Sequence, residues 1–235
     1  MSFFAVSDQT LADLAARAPG PFFAYSRSAA RERWDRLAAV LPPRVRLAYA
    51  VKANPNPGLL ATFARKGAAF DCASGGELDR AARALAKARP LAGTRTTAAG
   101  GGGPGPGNLL FYGGPGKRAE EIRRALRLGA RIHAESVEDL ALVDRFSRKP
   151  AAVNLRVHPA SGIEEGSRII GGTGPSAFGV DEENLARVLH VAKRFPEQAR
   201  LLGLGWRIQL GQGREELVET AQGVVTRRLA RGAPE

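Results

Sequence analysis

A single cysteine, Cys72, stands in a chain of 235 residues. Neither an intrachain disulfide nor a cysteine-based zinc site can be built from it, and the scarcity fits a reducing compartment. Histidine is almost as rare. His133, His158 and His190 are scattered, with no i, i+4 pair of the kind a helical metal site uses, so all three read as structural or surface residues. The start, MSFFAVSDQTLADL, lacks the basic-then-apolar order of a secretory leader. No apolar run approaches the ~20 residues of a membrane span. A cytoplasmic protein with no membrane partner is expected. Aromatics are only 6% of the chain, and no basic segment is interleaved with them as a single-strand nucleic-acid binder requires. Acidic residues are also in short supply, 23 against 35 Lys and Arg, for a net charge of +12. The arginines are spread over predicted helices, as in RERWDR, RRALRLGAR and VVTRRLAR. The excess therefore reads as solvated faces, no nucleic-acid partner is expected, and an anionic cofactor or substrate would suit the field.

What is present is an ordinary globular composition, 44% hydrophobic and 25% charged, with enough length to bury a real core. Short apolar runs alternate with helical patterns, which argues for βα units on a parallel sheet. The strands are expected at Arg46–Ala53, Ala68–Ala73, Asn108–Tyr112, Ala130–Ala134, Ala151–Val157 and Leu201–Gln209. Between them, helices are expected at Gly58–Lys66, Glu77–Ala88, Ala119–Leu128, Val137–Ser147 and Glu182–Phe195. Residues 1–45 read as an N-terminal extension: a helix near Leu11–Arg17, an extended FFAY, and a helix near Ala29–Val40. After the sixth strand one more helix is expected, near Glu215–Leu229. About six βα units over residues 46–235 suggest an α/β fold, a TIM-like (β/α)8 barrel that is incomplete. A doubly wound open sheet is the alternative, weakened by the lack of a G-x-G-x-x-G or a P-loop. The Gly/Pro-rich stretch GTRTTAAGGGGPGPGN, with its low-complexity core at residues 93–107, reads as a loop.

LAYAVKANPNPGLL places Lys52 at the end of the first strand, where two prolines stop the chain before a helix. A lysine there is either a solvated strand end or an amine held for chemistry. Two more segments fall at strand ends, where barrel active sites are built. FDCASGGEL carries Asp71 and Ser74 at a strand end, although Ser74-Gly75-Gly76-Glu77 also matches a plain capping box. LRVHP carries Arg156, a strand-end cation that calls for an anionic partner, an ion-paired carboxylate included.

Together, YAVKANPNP and FDCASGGEL resemble the fold-type III pyridoxal-phosphate decarboxylases, the family of diaminopimelate, ornithine and arginine decarboxylases. LRVHP, GGTGPSAFGVDEEN and GLGWRIQLGQ follow in the family's order, so the resemblance spans almost the whole chain. The GGTGPSAFGVDEE region is similar to the branch associated with exopolysaccharide and exosortase clusters. The resemblance implies pyridoxal 5'-phosphate as cofactor, held by Lys52 as a Schiff base, with Asp71, Glu77 and Arg156 in the cofactor pocket. Packing of Lys52 against Leu47, Ala48 and Val51 is expected to disfavour its ammonium form. The implied reaction is decarboxylation of an amino acid at its α-carbon, the pyridinium ring taking up the charge.

Several family positions differ. Arg207 stands where the family has a ring-stacking histidine, and since arginine can itself stack on a ring it is a further cofactor-binding candidate. Gly211 and Gln212 stand where the family has a phosphate-binding serine, and Ala177 where it has a lysine. The family's glycine-rich phosphate loop, its pyridine-pairing glutamate and its C-terminal β-domain fall beyond residue 235. A truncated homologue, weakly active or inactive alone, is thus expected, with a homodimer expected for the full-length family. Two other readings remain: a non-catalytic decarboxylase-like binding protein, and a one-domain pyridoxal-phosphate carrier.

Overall fold

The computed structural model describes residues 6–18, 20–42, 45–88, 109–149, 151–158, 178–192, 199–206, 216–220 and 223–227. Arg207, Ala177, Gly211, Gln212 and the low-complexity stretch 93–107 lie outside the described residues.

Two helices lead in: α1 (Asp8–Arg17), capped by the Ser7 hydroxyl, and α2 (Arg27–Val40), capped by Ser26. Residues 20–26 between them carry no regular secondary structure, where an extended strand was expected. Strand β1 (Ala48–Ala50) passes into a 3-10 turn, Val51–Ala53, and then into α3 (Pro57–Arg65). The βα alternation continues through β2 (Ala69–Cys72), α4 (Gly75–Lys87), β3 (Leu110–Tyr112), α5 (Ala119–Leu128), β4 (Arg131–Ala134) and α6 (Val137–Phe146). It closes with β5 (Ala151–His158), β6 (Val180–Asp181), a 3-10 turn Glu182–Asn184, α7 (Leu185–Ala192) and β7 (Ala199–Trp206).

The helix starts follow from local chemistry. In Asn54-Pro55-Asn56-Pro57, Asn54 Oδ1 accepts from the Asn56 N–H at 3.0 Å, and Asn56 Oδ1 accepts from the Gly58 N–H at 2.8 Å. Pro57 occupies the first helical position, where no donor is lost. The Ser74 hydroxyl accepts from the Glu77 N–H at 3.3 Å, and Ser136 caps α6 in the same way through Asp139 at 3.2 Å.

All seven sheet strands run parallel, in the order β1-β2-β3-β4-β5, with β6 and β7 both paired to β5. Strand β7 occupies one edge of β5 up to Val157, so the two-residue β6 takes the other edge, beyond the point where β4 ends. Strands β1 and β7 each have one partner strand among the described residues.

Alternation along the strands sorts the side chains. Phe70, Cys72, Leu110, Tyr112, Ile132, Ala134, Val153 and Leu155 are buried under the helices, with Leu60, Leu78, Ile122, Leu140 and Val143 packed onto them. Each such large aliphatic contributes about 1.5–3 kcal/mol by leaving water. The other face carries Asp71, Phe111, Arg131, His133, Asn154 and Arg156, the positions that line the inside of a (β/α) barrel.

Three expectations need correction. Strand β1 is shorter than Arg46–Ala53, because the chain turns at Val51, ahead of the prolines. Helix α7 begins at Leu185 after a 3-10 turn, not at Glu182. The helix expected near Glu215–Leu229 is instead an antiparallel pair, β8 (Glu216–Thr220) and β9 (Gly223–Arg227), with Val218 opposite Val225. Val218, Val224, Val225 and Thr226 are β-branched, and that preference for strand outweighs the helical spacing.

Candidate active site

Lys52 sits in the 3-10 turn at the C-terminal end of β1 and is exposed. The turn is anchored from below. Tyr49 stacks on Phe63 of α3 at 4.4 Å between centroids, and its hydroxyl donates to the Asn54 carbonyl at 3.2 Å. Burial raises the Tyr49 pKa, which keeps that hydroxyl a donor. The expected desolvation of Lys52 is not found. The alternating strand ends two residues before it, so only Val51 of the expected packing partners is buried.

Ala50 pairs with Asp71 across β1 and β2, which brings the lysine turn and that carboxylate to the same end of the sheet. Asp71 is half-buried on the face away from the helices. Glu77 is occupied locally: its Oε2 accepts from the Ala73 N–H at 2.9 Å while its own N–H donates to Ser74. Cys72, between them in sequence, points under the helices with no exposed surface. Burial, then the nearby Asp71 and Glu77 charges, push its thiol pKa well up, so it is no nucleophile.

Arg156, at the C-terminal end of β5, lies at the same end of the sheet. Its Nη1 donates to both oxygens of Glu135, at 3.2 and 3.1 Å, and its guanidinium covers the Phe178 ring at 4.9 Å. Glu135 was not singled out from the sequence. It follows β4 directly, and its side chain is only 4% exposed. Besides Arg156 it accepts from the Gly114 N–H at 2.6 Å and the Gly179 N–H at 3.0 Å. Lys117 and Asp139 complete the cluster: Lys117 Nζ donates to Asp139 Oδ2 at 2.7 Å and lies 3.9 Å from Glu135 Oε1. Asp139 also accepts from the Glu135 N–H at 2.9 Å. The only sequence signal for these residues was their place after predicted strands, in GGPGKR and HAESVED.

Behind this layer, His133 meets Phe111 edge-on at 5.7 Å and has Nε2 3.5 Å from Asn154 Nδ2. Glu121 links neighbouring βα units, its Oε1 accepting from the Gly75 N–H at 2.8 Å. Burial pushes the Glu121 carboxyl up, but donation from Gly75, Arg118 and Tyr112 outweighs it, and the net pKa is below the ordinary value.

Comparison with known proteins follows the same outline. Residues 27–208 match the family described as pyridoxal-dependent decarboxylase, pyridoxal binding domain. A diaminopimelate decarboxylase from Zymomonas mobilis is 31% identical over 199 residues, 81% of this chain and 43% of that protein. One from Vibrio cholerae is 31% identical over 193 residues, 79% of this chain and 41% of that protein. The chain thus spans less than half the length of these curated relatives. A solved diaminopimelate decarboxylase from Helicobacter pylori, complexed with L-lysine, superposes with a TM-score of 0.67 at 23% identity, covering 83% of this chain and 46% of that one. At that identity the likeness speaks for the fold.

The described residues fit the reactive end of pyridoxal phosphate. A primary amine stands open to solvent at the C-terminal end of the sheet, the small Ala48 and Ala50 leave the same strand uncrowded, and an acidic side chain lies on the neighbouring strand. With the parallel βα sheet and the match over residues 27–208 in agreement, the chain belongs to the pyridoxal-dependent decarboxylases through their pyridoxal-binding domain, a TIM-like barrel present here in part, and its cofactor is pyridoxal phosphate.

Proposed function

We propose that this chain supplies the cofactor-binding portion of an amino-acid decarboxylase of the diaminopimelate decarboxylase kind, with Lys52 as the residue that holds pyridoxal phosphate. The observation that carries the reading is the exposed Lys52 amine in a turn anchored by Tyr49 and Asn54, one strand away from Asp71. Similarity to relatives named diaminopimelate decarboxylase supports the reaction class. When bound, the cofactor supplies an electron sink for the α-carbon of an amino acid. The chain's own part would be to present Lys52 Nζ as attachment atom and proton carrier, with the Asp71 carboxylate at the neighbouring strand end to help hold the cofactor. Glu77 steadies the loop after β2 from behind.

Because the chain covers under half of its relatives' length, the proposed turnover belongs to a protein that also contains the portion matching their other half. This portion alone is expected to bind cofactor with weak or no turnover. A homodimer and a cytoplasmic location are part of the same reading. Among the described residues no helix is long and apolar enough to cross a membrane.

The test is an absorbance titration with pyridoxal phosphate, followed by borohydride reduction and peptide mass mapping, on the wild type and on Lys52→Ala. The expected result is a saturable band and a label on Lys52 that the substitution removes. A label spread over surface lysines, unchanged in Lys52→Ala, would sink the reading and favour a non-catalytic binding protein.

A further inference from the structure

Four charged side chains close upon one another at the C-terminal ends of β3, β4 and β5. Glu135 and Asp139 face Lys117 and Arg156, and the four side chains are 4%, 9%, 1% and 13% exposed. Their formal charges cancel. The acceptor capacity of Glu135 is also filled. Oε1 takes the Gly114 N–H and Arg156, and Oε2 takes Arg156 and the Gly179 N–H, which accounts for the four lone-pair sites of a carboxylate. Both glycine donors come from positive-φ residues, φ 112 at Gly114 and φ 82 at Gly179, a backbone state that other residues adopt at a cost. One carboxylate thus fixes two conformationally unusual segments together with Arg156, and through Arg156 the Phe178 ring above it.

We propose that Glu135 is a positioning residue for the cofactor site: it ties the segment after β3, the end of β5 and the Phe178–Gly179 lead-in to β6 into one rigid rim, and it, not a cofactor or substrate anion, is the partner of Arg156. This rests on the proposed cofactor site at Lys52. A guanidinium already bonded to a buried carboxylate has no net charge to offer a phosphate, and breaking that pair would leave Glu135 buried and uncompensated. Arg156 therefore acts on the site through the rim, its charge compensated by Glu135.

The test compares wild type, Glu135→Asp and Glu135→Gln by hydrogen–deuterium exchange and by pyridoxal phosphate titration with borohydride trapping. Glu135→Gln is expected to release the Gly114 and Gly179 amides while those of residues 132–134 in β4 stay protected. It should weaken pyridoxal phosphate binding about tenfold or more, as loss of hydrogen bonds to a charged group does, with any remaining label still on Lys52. Glu135→Asp, which keeps the charge, should fall between. Wild-type affinity in Glu135→Gln overturns the proposal, and so do unchanged Gly114 and Gly179 amides. If Glu135→Gln loses protection throughout, Glu135→Asp decides: selective release with weakened trapping supports the assignment, and global loss there too marks a purely structural carboxylate. A wild type that takes no label on Lys52 overturns the cofactor reading itself, and this one with it. A labelled wild type with an indifferent Glu135→Gln overturns this one alone.

Discussion

Lys117 Nζ lies 2.7 Å from Asp139 Oδ2, and the two side chains are only 1% and 9% exposed. The same ammonium donates to the Gly114 carbonyl at 2.7 Å. The contact joins the loop after β3 to the first turn of α6, two βα units that are otherwise held by sheet pairing and helix packing.

Removing one member of a buried pair strands the other's charge. Lys117→Met is therefore expected to cost about 3–5 kcal/mol, read from urea or thermal unfolding. Adding Asp139→Asn should recover part of the loss, because the stranded negative charge goes with it. A single-variant cost below about 1 kcal/mol, the range of exposed pairs, would contradict the buried assignment.

Glu121 makes stability pH-dependent in a stated direction. Its folded pKa lies below the ordinary 4.5, so its contribution is fully present above 4.5 and is lost as pH falls through the folded value. Glu121→Gln is expected to lower the urea midpoint at neutral pH and to flatten its fall on acidification. A wild type and variant whose midpoints run parallel from neutral pH down through the carboxylate range would rule this out.

Gly114 is held by both its backbone and its surroundings. Its φ is 112, and a Cβ added there would meet the Ala73 carbonyl at 3.2 Å. Gly116, with φ 68, has nothing within 4 Å of that position. Gly114→Ala should cost about 1–3 kcal/mol as a strained backbone position does, and more than Gly116→Ala. It should also weaken cofactor trapping, since the Gly114 N–H donates to Glu135. Equal melting shifts for the two variants would count against the contact with Ala73.

Much of the framework was legible along the chain. The capping serines Ser74 and Ser136, the Asn56-Pro57 helix start and the apolar stripe of α5, Ile122 and Ala125 with Leu126, are local signals, and each element formed where its signal stood. The hairpin of β8 and β9 was misread because helical spacing and β-branched content conflicted in VVTRRLAR. Glu135 went unread for a different reason. Its partners Gly114, Arg156 and Gly179 are 21, 21 and 44 residues away, and no local pattern encodes such distances.

The sequence by itself determined the alternation of strand and helix, the placement of Lys52 just past the first strand, and the family resemblance. These depend on propensity, caps and motif spacing, which act over a few residues. Only the tertiary structure decided that Asp71 comes to the same end of the sheet as the Lys52 turn and that Arg156 is paired with Glu135. Both outcomes depend on which strand ends meet when the sheet is assembled, and parallel pairing joins residues that the chain keeps far apart.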